Sequence, residues 1–512
     1  LSEIPKNPTG FAEQLPRNLI ANIANFVLSV LIGIFLVPFF IETLGVAAYG
    51  LIPLATSLTG YITILTDSLN VAISRFLTVD MHQGNYEKAN KTFNTAFFGL
   101  SGIVVLLIPV VILLSYYAPK LFNVPAGQES EVVLLFLGVF SSFLIRSWSS
   151  NFTVSLFAHN RLDLMNLLNI ISIIIQVSLI ILLFSLFSPQ LHYIGVAYLI
   201  SSIVFLLCAV VLSKRINPHL HIVTGDFDRS RLRDLVQMGW WAVVNQIGSL
   251  LFLQIDLIVV NLLFGATATG EYAVVLVWAT LIRGIAGTLS GLLSPMILTY
   301  YAKDKINEII IVSKSAVKGL GLFLALPIGL VCGFAPQLLT LWVGPQFAQL
   351  GPLMWILTLP LVINLSVLPL FTINVAFNKV RIPGIVTFIM GIGNIILAIS
   401  LPLLLGWGYY GVAVAGAIVL TLKNTFFTPW YATKIMNISP STFNKSMIAG
   451  LIASLIIIAA AFLCGKILTI SSLIIIVIAG VAISLLYLIP LWYIGLNQSE
   501  RNLIARYIPK YF

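Results

Sequence analysis

The sequence predicts an all-α polytopic membrane protein: about fourteen transmembrane helices, arranged as two pseudo-symmetric six-helix lobes with two further helices after them. Three observations predict it. Hydrophobic residues fill 59% of the 512 positions and charged residues only 9%, whereas a soluble domain carries about 25% charged residues to solvate its surface. Mean hydropathy is +1.05. Apolar runs of membrane-spanning length recur along the whole chain, and the basic residues between them alternate in density.

The runs fall near 17–41, 47–77, 90–115, 131–158, 165–188, 191–213, 234–264, 270–299, 312–335, 347–377, 382–406, 409–432, 445–464 and 471–495. A helix needs about 20 apolar residues to cross the hydrocarbon core, so each qualifies. The residues up to Gln14 are polar and hold no signal-peptide h-region; the first run is too long for one and reads as a membrane helix. With fourteen spans, 22 of the 27 Lys and Arg residues fall in loops on one side, two (Lys120 and Lys466) on the other, and Arg146, Arg283 and Lys423 inside spans. Removing one helix from the middle would invert every later loop and erase this asymmetry. The positive-inside rule therefore predicts an even helix count, with both termini in the cytoplasm of a multi-pass cytoplasmic (inner) membrane protein.

The longest hydrophilic segment, near 214–233, separates six helices in residues 1–213 from six in 234–437, and 438–512 holds the last two and a tail. Sliding the chain by 220 residues pairs Gly45 with Gly265, Ala48 with Ala268, Gly50 with Gly270, Leu69 with Leu289, Ser74 with Ser294 and Gly99 with Gly319. Six is even, so the halves share orientation and are related by an axis along the membrane normal, a common transporter plan.

Several function classes are excluded or disfavoured. The net charge of +10 is explained by cytoplasmic loops beside anionic headgroups rather than by nucleic acid. Cys208, Cys332 and Cys464 lie in apolar runs as small hydrophobes without a disulfide pattern. His219 and His221 form an HxH with no further ligand nearby, so no metal site is expected. No Walker A motif is present. Asp226-Phe227-Asp228 is a DxD, a pattern used by sugar-nucleotide transferases, but no loop is long enough to fold into a catalytic domain. A transporter rather than an enzyme is expected.

Charge inside a span costs about 2.5–3.5 kcal/mol at a helix centre and marks function by default. Arg146, Asp256, Arg283 and Lys423 lie well inside spans, with Arg146 and Arg283 near mid-membrane and Lys423 nearer the cytoplasm. Asp67 and Arg75 lie toward the cytoplasmic end of the second span. Asn18, Asn22, Asn25 and Ser29 form a stripe on the first span; Asn245, Gln246, Gln254 and Asn261 lie on the seventh, and Asn364, Asn374 and Asn378 on the tenth. A polar stripe in a membrane must face protein or water. Two readings stay open: a polar cavity binding an anionic group, or interhelical pairing that holds helices together. Cations outnumber anions in the spans, which favours the cavity.

Arg17-Asn18-Leu19-Ile20, Thr43-Leu44-Gly45-x3-Tyr49-Gly50, Ser74-Arg75-Phe76, and Asp256 followed by Phe264-Gly265-x4-Gly270-Glu271-Tyr272 resemble the polysaccharide flippases. These are the O-antigen-type members of the superfamily that includes multidrug and toxin extrusion transporters and lipid II flippases. The resemblance covers most of residues 15–440. It implies two six-helix lobes around a cavity and transfer of a polyprenyl-diphosphate-linked oligosaccharide between leaflets, with membrane lipids and the glycan polymerase and glycosyltransferases of the same pathway as partners. The expected substrate-binding residues are then Arg146, Arg283 and Lys423 for the diphosphate, with Asn22, Asn25, Asn245, Trp148 and Tyr61 for the sugars. Asp256 and Asp67 are the candidates for coupling to a proton or sodium ion, with no other cofactor expected. A cation-coupled multidrug exporter of the same fold is the alternative, disfavoured by the excess of Arg and Lys.

Overall fold

The computed structural model describes residues 11–468, 470–495, 498 and 501; some side chains within helices, those of Asp67, Arg75 and Asn245 among them, lie outside the described residues. The protein is 88% helical, and no β-strand occurs among the described residues. Six helices make the first half: α1 (Phe11–Leu44), α2 (Val46–His82), α3 (Tyr86–Leu121), α4 (Glu129–Ala158), α5 (Leu162–Leu186) and α6 (Leu191–Ile216). The second half opens with α7 (Arg229–Leu253) and α8 (Ile255–Ala302), followed by α9 (Ile306–Gly333) and the short α10 (Ala335–Val343). Then come α11 (Gly351–Thr358), α12 (Leu361–Ser366), α13 (Leu368–Ala376), α14 (Arg381–Leu405), α15 (Tyr409–Leu422), α16 (Thr428–Ile435), α17 (Asn444–Ile467) and α18 (Leu473–Pro490).

Twelve helical stretches among the described residues are long and apolar enough to cross a membrane. The two remaining expected spans fall on α2 and α7, of 37 and 25 residues. At 1.5 Å per residue these reach about 55 and 37 Å, enough for a 30 Å core.

The halves repeat with the offset read from the sequence. Adding 220 to the start of α3 (Tyr86) gives Ile306, the start of α9, and adding it to the starts of α5 and α6 lands within two residues of α14 and α15. The backbone corners repeat too. Gly45 (φ 84°) maps to Gly265 (φ 86°), and Gly84 (φ 70°) to Asp304 (φ 54°). Such left-handed corners favour Gly and tolerate Asp, which is why one glycine turn survives unchanged in both copies. Gly265 bends α8 sharply, so the chain up to Phe264 completes the seventh span and the chain beyond it forms the eighth.

The chain divides into two compact units between Gly270 and Glu271. In the first unit α4 and α6 pack backbone to backbone: a Cβ on Gly138 would lie 2.6 Å from Gly195 Cα. Phe93, Phe152, Leu156 and Leu168 belong to a buried core in the same unit. In the second unit the added helix α17 lies on α9 through Gly321 and Gly450, where a Cβ on Gly450 would come within 2.8 Å of Gly321 Cα. Small residues at such crossings let membrane helices gain van der Waals contact where no hydrophobic effect drives them together. The Tyr487 hydroxyl of α18 donates to Leu322 O at 3.0 Å, tying the last helix to α9.

Candidate functional site

Helix discontinuity marks the polar positions. The seventh span breaks at Gln254, which separates α7 from α8. The tenth breaks into α11, α12 and α13 at Leu359–Pro360 and Val367. The twelfth passes through a π-helical segment, Lys423–Phe427, between α15 and α16. Their first-half counterparts under the 220-residue shift lie in α1, α4 and α6, each one continuous helix. Broken helices are tolerated at membrane depth where the freed backbone lines protein or a cavity, and π-segments concentrate at functional sites.

In the second unit, Lys423 sits fourteen residues after Tyr409 and twelve before Ile435, at the middle of its span rather than nearer the cytoplasmic end. It is 9% exposed. Its Nζ lies 5.1 Å from the Phe371 ring centroid, and among the described residues no carboxylate or hydrogen-bond acceptor meets it. Neighbouring Asn424 donates to Asn364 Oδ1 (3.3 Å) and accepts from the Thr428 hydroxyl (3.1 Å), while Asn364 donates to Thr421 Oγ1 (3.3 Å). The π-segment and the broken tenth span are thus joined by paired amides beside a buried ammonium. Asn374 is buried, and its Oδ1 has no partner among the described residues.

In the first unit, Arg146 lies seventeen residues after Glu129 and twelve before Ala158 on α4. Its guanidinium donates to Asn169 Oδ1 (2.6 Å) and Ser172 Oγ (3.1 Å) of α5. It also stacks 4.4 Å from the Phe205 centroid of α6. No carboxylate pairs with it among the described residues. Asn169 and Ser172, absent from the sequence reading, are three apart on one face of α5, a spacing that offers both to one guanidinium.

Asp256 is buried in the first turn of α8, directly after the break. Leu250 O, near the end of α7, accepts both the Gln254 amide (2.9 Å) and the Tyr61 hydroxyl (3.3 Å). Tyr61 lies within electrostatic reach of Asp256. The structure therefore brings two of the expected site residues, Tyr61 and Asp256, to one helix break.

The remaining candidates separate. Arg283 is half-buried, eighteen residues after Gly265 and nineteen before Ala302 on α8. Asn22 is exposed, and Asn25 is half-buried with its Oδ1 unpartnered among the described residues. Asn18, from the same stripe, donates to Asn160 O and accepts from the Asp163 amide, so it fastens the α4–α5 corner. Trp148 donates to Ser101 Oγ at 2.8 Å and packs on Phe97 and Phe152, a role inside the unit's core. The side chains of Asn245 and Asp67 lie outside the described residues.

The segment before α7 accounts for the DxD. Asp226 accepts from Asn90 Nδ2 (2.6 Å). Asp228 caps α7, accepting from the amides of Ser230 and Arg231; these bonds and the Ser230 hydroxyl hold its carboxyl below the usual carboxylate range. The HxH is equally structural: His219 packs at a tilt against Tyr86, and the His221 amide donates to Asn90 Oδ1. The sequence reading missed Asp80. It is almost fully buried at the end of α2, where it accepts from Arg231 Nη2 at 2.7 Å and from Thr92.

Helix count and composition together define a polytopic membrane protein. Residues 15–301 match the family described as "Polysaccharide biosynthesis protein". The uncharacterized membrane protein EpsK of Bacillus subtilis is 33% identical over 489 residues, covering 96% of this chain and 97% of its own. The chain belongs to the polysaccharide biosynthesis protein family. Its fold matches that of the lipid II flippase MurJ in an inward closed conformation (TM-score 0.63, 18% identity, 95% of this chain and 100% of that one). It also matches an inward-facing MATE-family multidrug transporter (TM-score 0.60, 15% identity, 82% and 99%). The Vibrio cholerae MATE transporter VcmN is a third match (TM-score 0.60, 17% identity, 84% and 97%).

Proposed function

We propose that the protein is a flippase that carries a polyprenyl-diphosphate-linked oligosaccharide from the cytoplasmic to the outer leaflet by alternating access, for cell-surface polysaccharide assembly. It does so in the cytoplasmic membrane with both termini in the cytoplasm. The observation that carries the reading is the pair of buried mid-span cations, Arg146 and Lys423, which meet only neutral or aromatic partners among the described residues. A structural ion pair would hold a carboxylate against each. Cations kept at that depth without one suit a substrate that brings its own negative charge, and a diphosphate does. Arg283, on α8, is the third cation expected to meet the diphosphate. Asn22 and Asn25 supply amides for sugar hydroxyls, and Asn245 belongs to the same expected group.

Asp256 lies directly after the break that ends α7, and discontinuous transporter helices coordinate coupling ions through the unwound carbonyls and C-terminal ends at such breaks; a proton or sodium ion is its ligand in this reading, with Asp67 as the second candidate. The glycosyltransferases and polymerase of the same pathway are the functional partners. The MATE-like fold supports a second reading, export of organic cations, but a cavity for cations should expose net acid rather than Arg and Lys.

The decisive experiment reconstitutes the protein in vesicles and follows protease- or lectin-accessible glycan on a polyprenyl-diphosphate carrier, beside efflux of a fluorescent organic cation. Glycan translocation without cation efflux is expected. Cation efflux alone would replace the flippase reading with the exporter.

A further inference from the structure

A groove of about 780 Å³ lies between α3, α4 and α6, all in the first unit. It runs along α3 from Val104 to Tyr116 and along α4 from Val133 to Trp148. Gly138 and Gly195 both line it, so the glycine crossing that brings α4 and α6 together also hollows its floor. One end is stopped by Trp148, which is anchored to Ser101 and packed on Phe97 and Phe152. The other reaches Tyr116 and His192, near the ends of α3 and α6. Near that end Ser115 lines the groove, 1% exposed, and its hydroxyl has no hydrogen-bond partner among the described residues.

We propose that this groove is a binding site for one glycerolipid. An acyl chain fills it, an ester carbonyl accepts from the Ser115 hydroxyl, and the headgroup lies beside Tyr116 and His192. The twelve helical rises from Val104 to Tyr116 span about 18 Å, slightly more than half of a 30 Å hydrocarbon core, so the groove holds one leaflet's chain. Buried in protein, the hydroxyl is out of reach of water, and an orphaned one is costly. A glycerolipid ester brings the missing acceptor to the right level. A polyprenyl tail has no carbonyl to offer, and the Trp148 stop ends the groove at one-leaflet length. Neither Arg146 nor Asp256 lines it. It rests on the proposed orientation only for naming the leaflet, which is the outer one.

The test uses phosphatidylglycerol carrying a diazirine in one acyl chain, with the full-length protein in vesicles, and cross-linked peptides mapped by mass spectrometry. Label should concentrate on peptides within 104–116, 133–148 and 192–199. Ser115→Ala, which removes one hydroxyl and disturbs no packing, should weaken labelling there about fivefold, the loss of one ordinary hydrogen bond. Leu137→Trp should fill the groove and abolish it. Three results would each overturn the assignment: label spread evenly over the lipid-facing helices, unchanged groove labelling in Ser115→Ala, or displacement of the phospholipid by polyprenyl phosphate. Glycan translocation is measured separately, so failure of the flippase reading leaves the labelling pattern interpretable, and cysteine labelling at Asn123 checks the leaflet independently.

Discussion

The contact between Gly50 and Gly270 sets a strong steric test, because it joins the two glycine turns that the repeat predicts. A Cβ on Gly50 would lie 2.5 Å from the Gly270 amide nitrogen, and one on Gly270 would lie 2.8 Å from the Val46 carbonyl carbon as well as against its oxygen. Carbon contacts settle near 3.5–4.0 Å. The nearest obstructing atoms are backbone, so moving the Val46 side chain does not relieve the clash, and α2 and α8 must separate by roughly 1 Å. Overpacking of this kind costs about 1–3 kcal/mol, which is about a 5- to 150-fold change in a folded or closed population. Gly33 on α1 has nothing within 4 Å of its own Cβ position and serves as the control. Thermal unfolding of purified Gly50→Ala, Gly270→Ala and Gly33→Ala, with the double variant, reads the effect. Both contact variants should unfold at clearly lower temperature and the control should match the parent protein. The double variant should cost less than the two singles together, because both disturb one contact. Gly270→Ala as stable as Gly33→Ala would refute the close approach itself.

The other predictions concern orientation, coupling and the substrate anion. Cysteines placed at Asn123 and Gln346 should react with an impermeant maleimide from outside, whereas positions within Ser213–Asp234 should not; a reactive linker would reverse the proposed orientation. Asp256→Asn should accumulate normally and lose any dependence of transport on a proton or sodium gradient; a variant that fails to accumulate would assign Asp256 to packing. At Arg146, Lys should be partly active, because it keeps the charge but loses the fork that reaches Asn169 and Ser172 together, and Ala or Gln should be inactive at normal membrane levels, as should Lys423→Gln. Full activity of the Arg146→Ala/Lys423→Gln pair would leave both as packing residues.

Composition and loop charge made the architecture legible because lipid imposes so few solutions: every span must be a helix, and every helix must be long and apolar. The glycine turns were legible because a left-handed corner admits few residues. What escaped the sequence was direction. Arg146 was visible as a buried cation, but nothing in the spacing of α4 said that it turns toward Asn169 and Ser172. Trp148 and Tyr61 were visible as aromatic rings beside polar positions, yet one is plugged into a core by Ser101 and the other leans on the Leu250 carbonyl. Asp80 was lost because it sits at a helix end rich in charge, where burial depends on a residue 151 positions away.

One signal in the sequence was stronger than any single motif, and it lies in how the two halves differ. Under the 220-residue shift, Asp256 corresponds to Leu36, Asn364 to Leu144 and Lys423 to Ile203. In the first half those positions are apolar and their helices run unbroken; in the second they are polar and their spans are interrupted at or near them. Packing alone would keep a repeated helix regular: Pro360 removes one helical hydrogen bond, and the π-segment shifts its bonding by one residue, with the Thr428 amide on Lys423 O. The three substitutions and the three interruptions coincide, which ties the distortion to the chemistry placed there rather than to the fold. In the proposed reading the second copy carries its polar positions at departures from the shared helix pattern, while the first copy carries Arg146 on an unbroken helix.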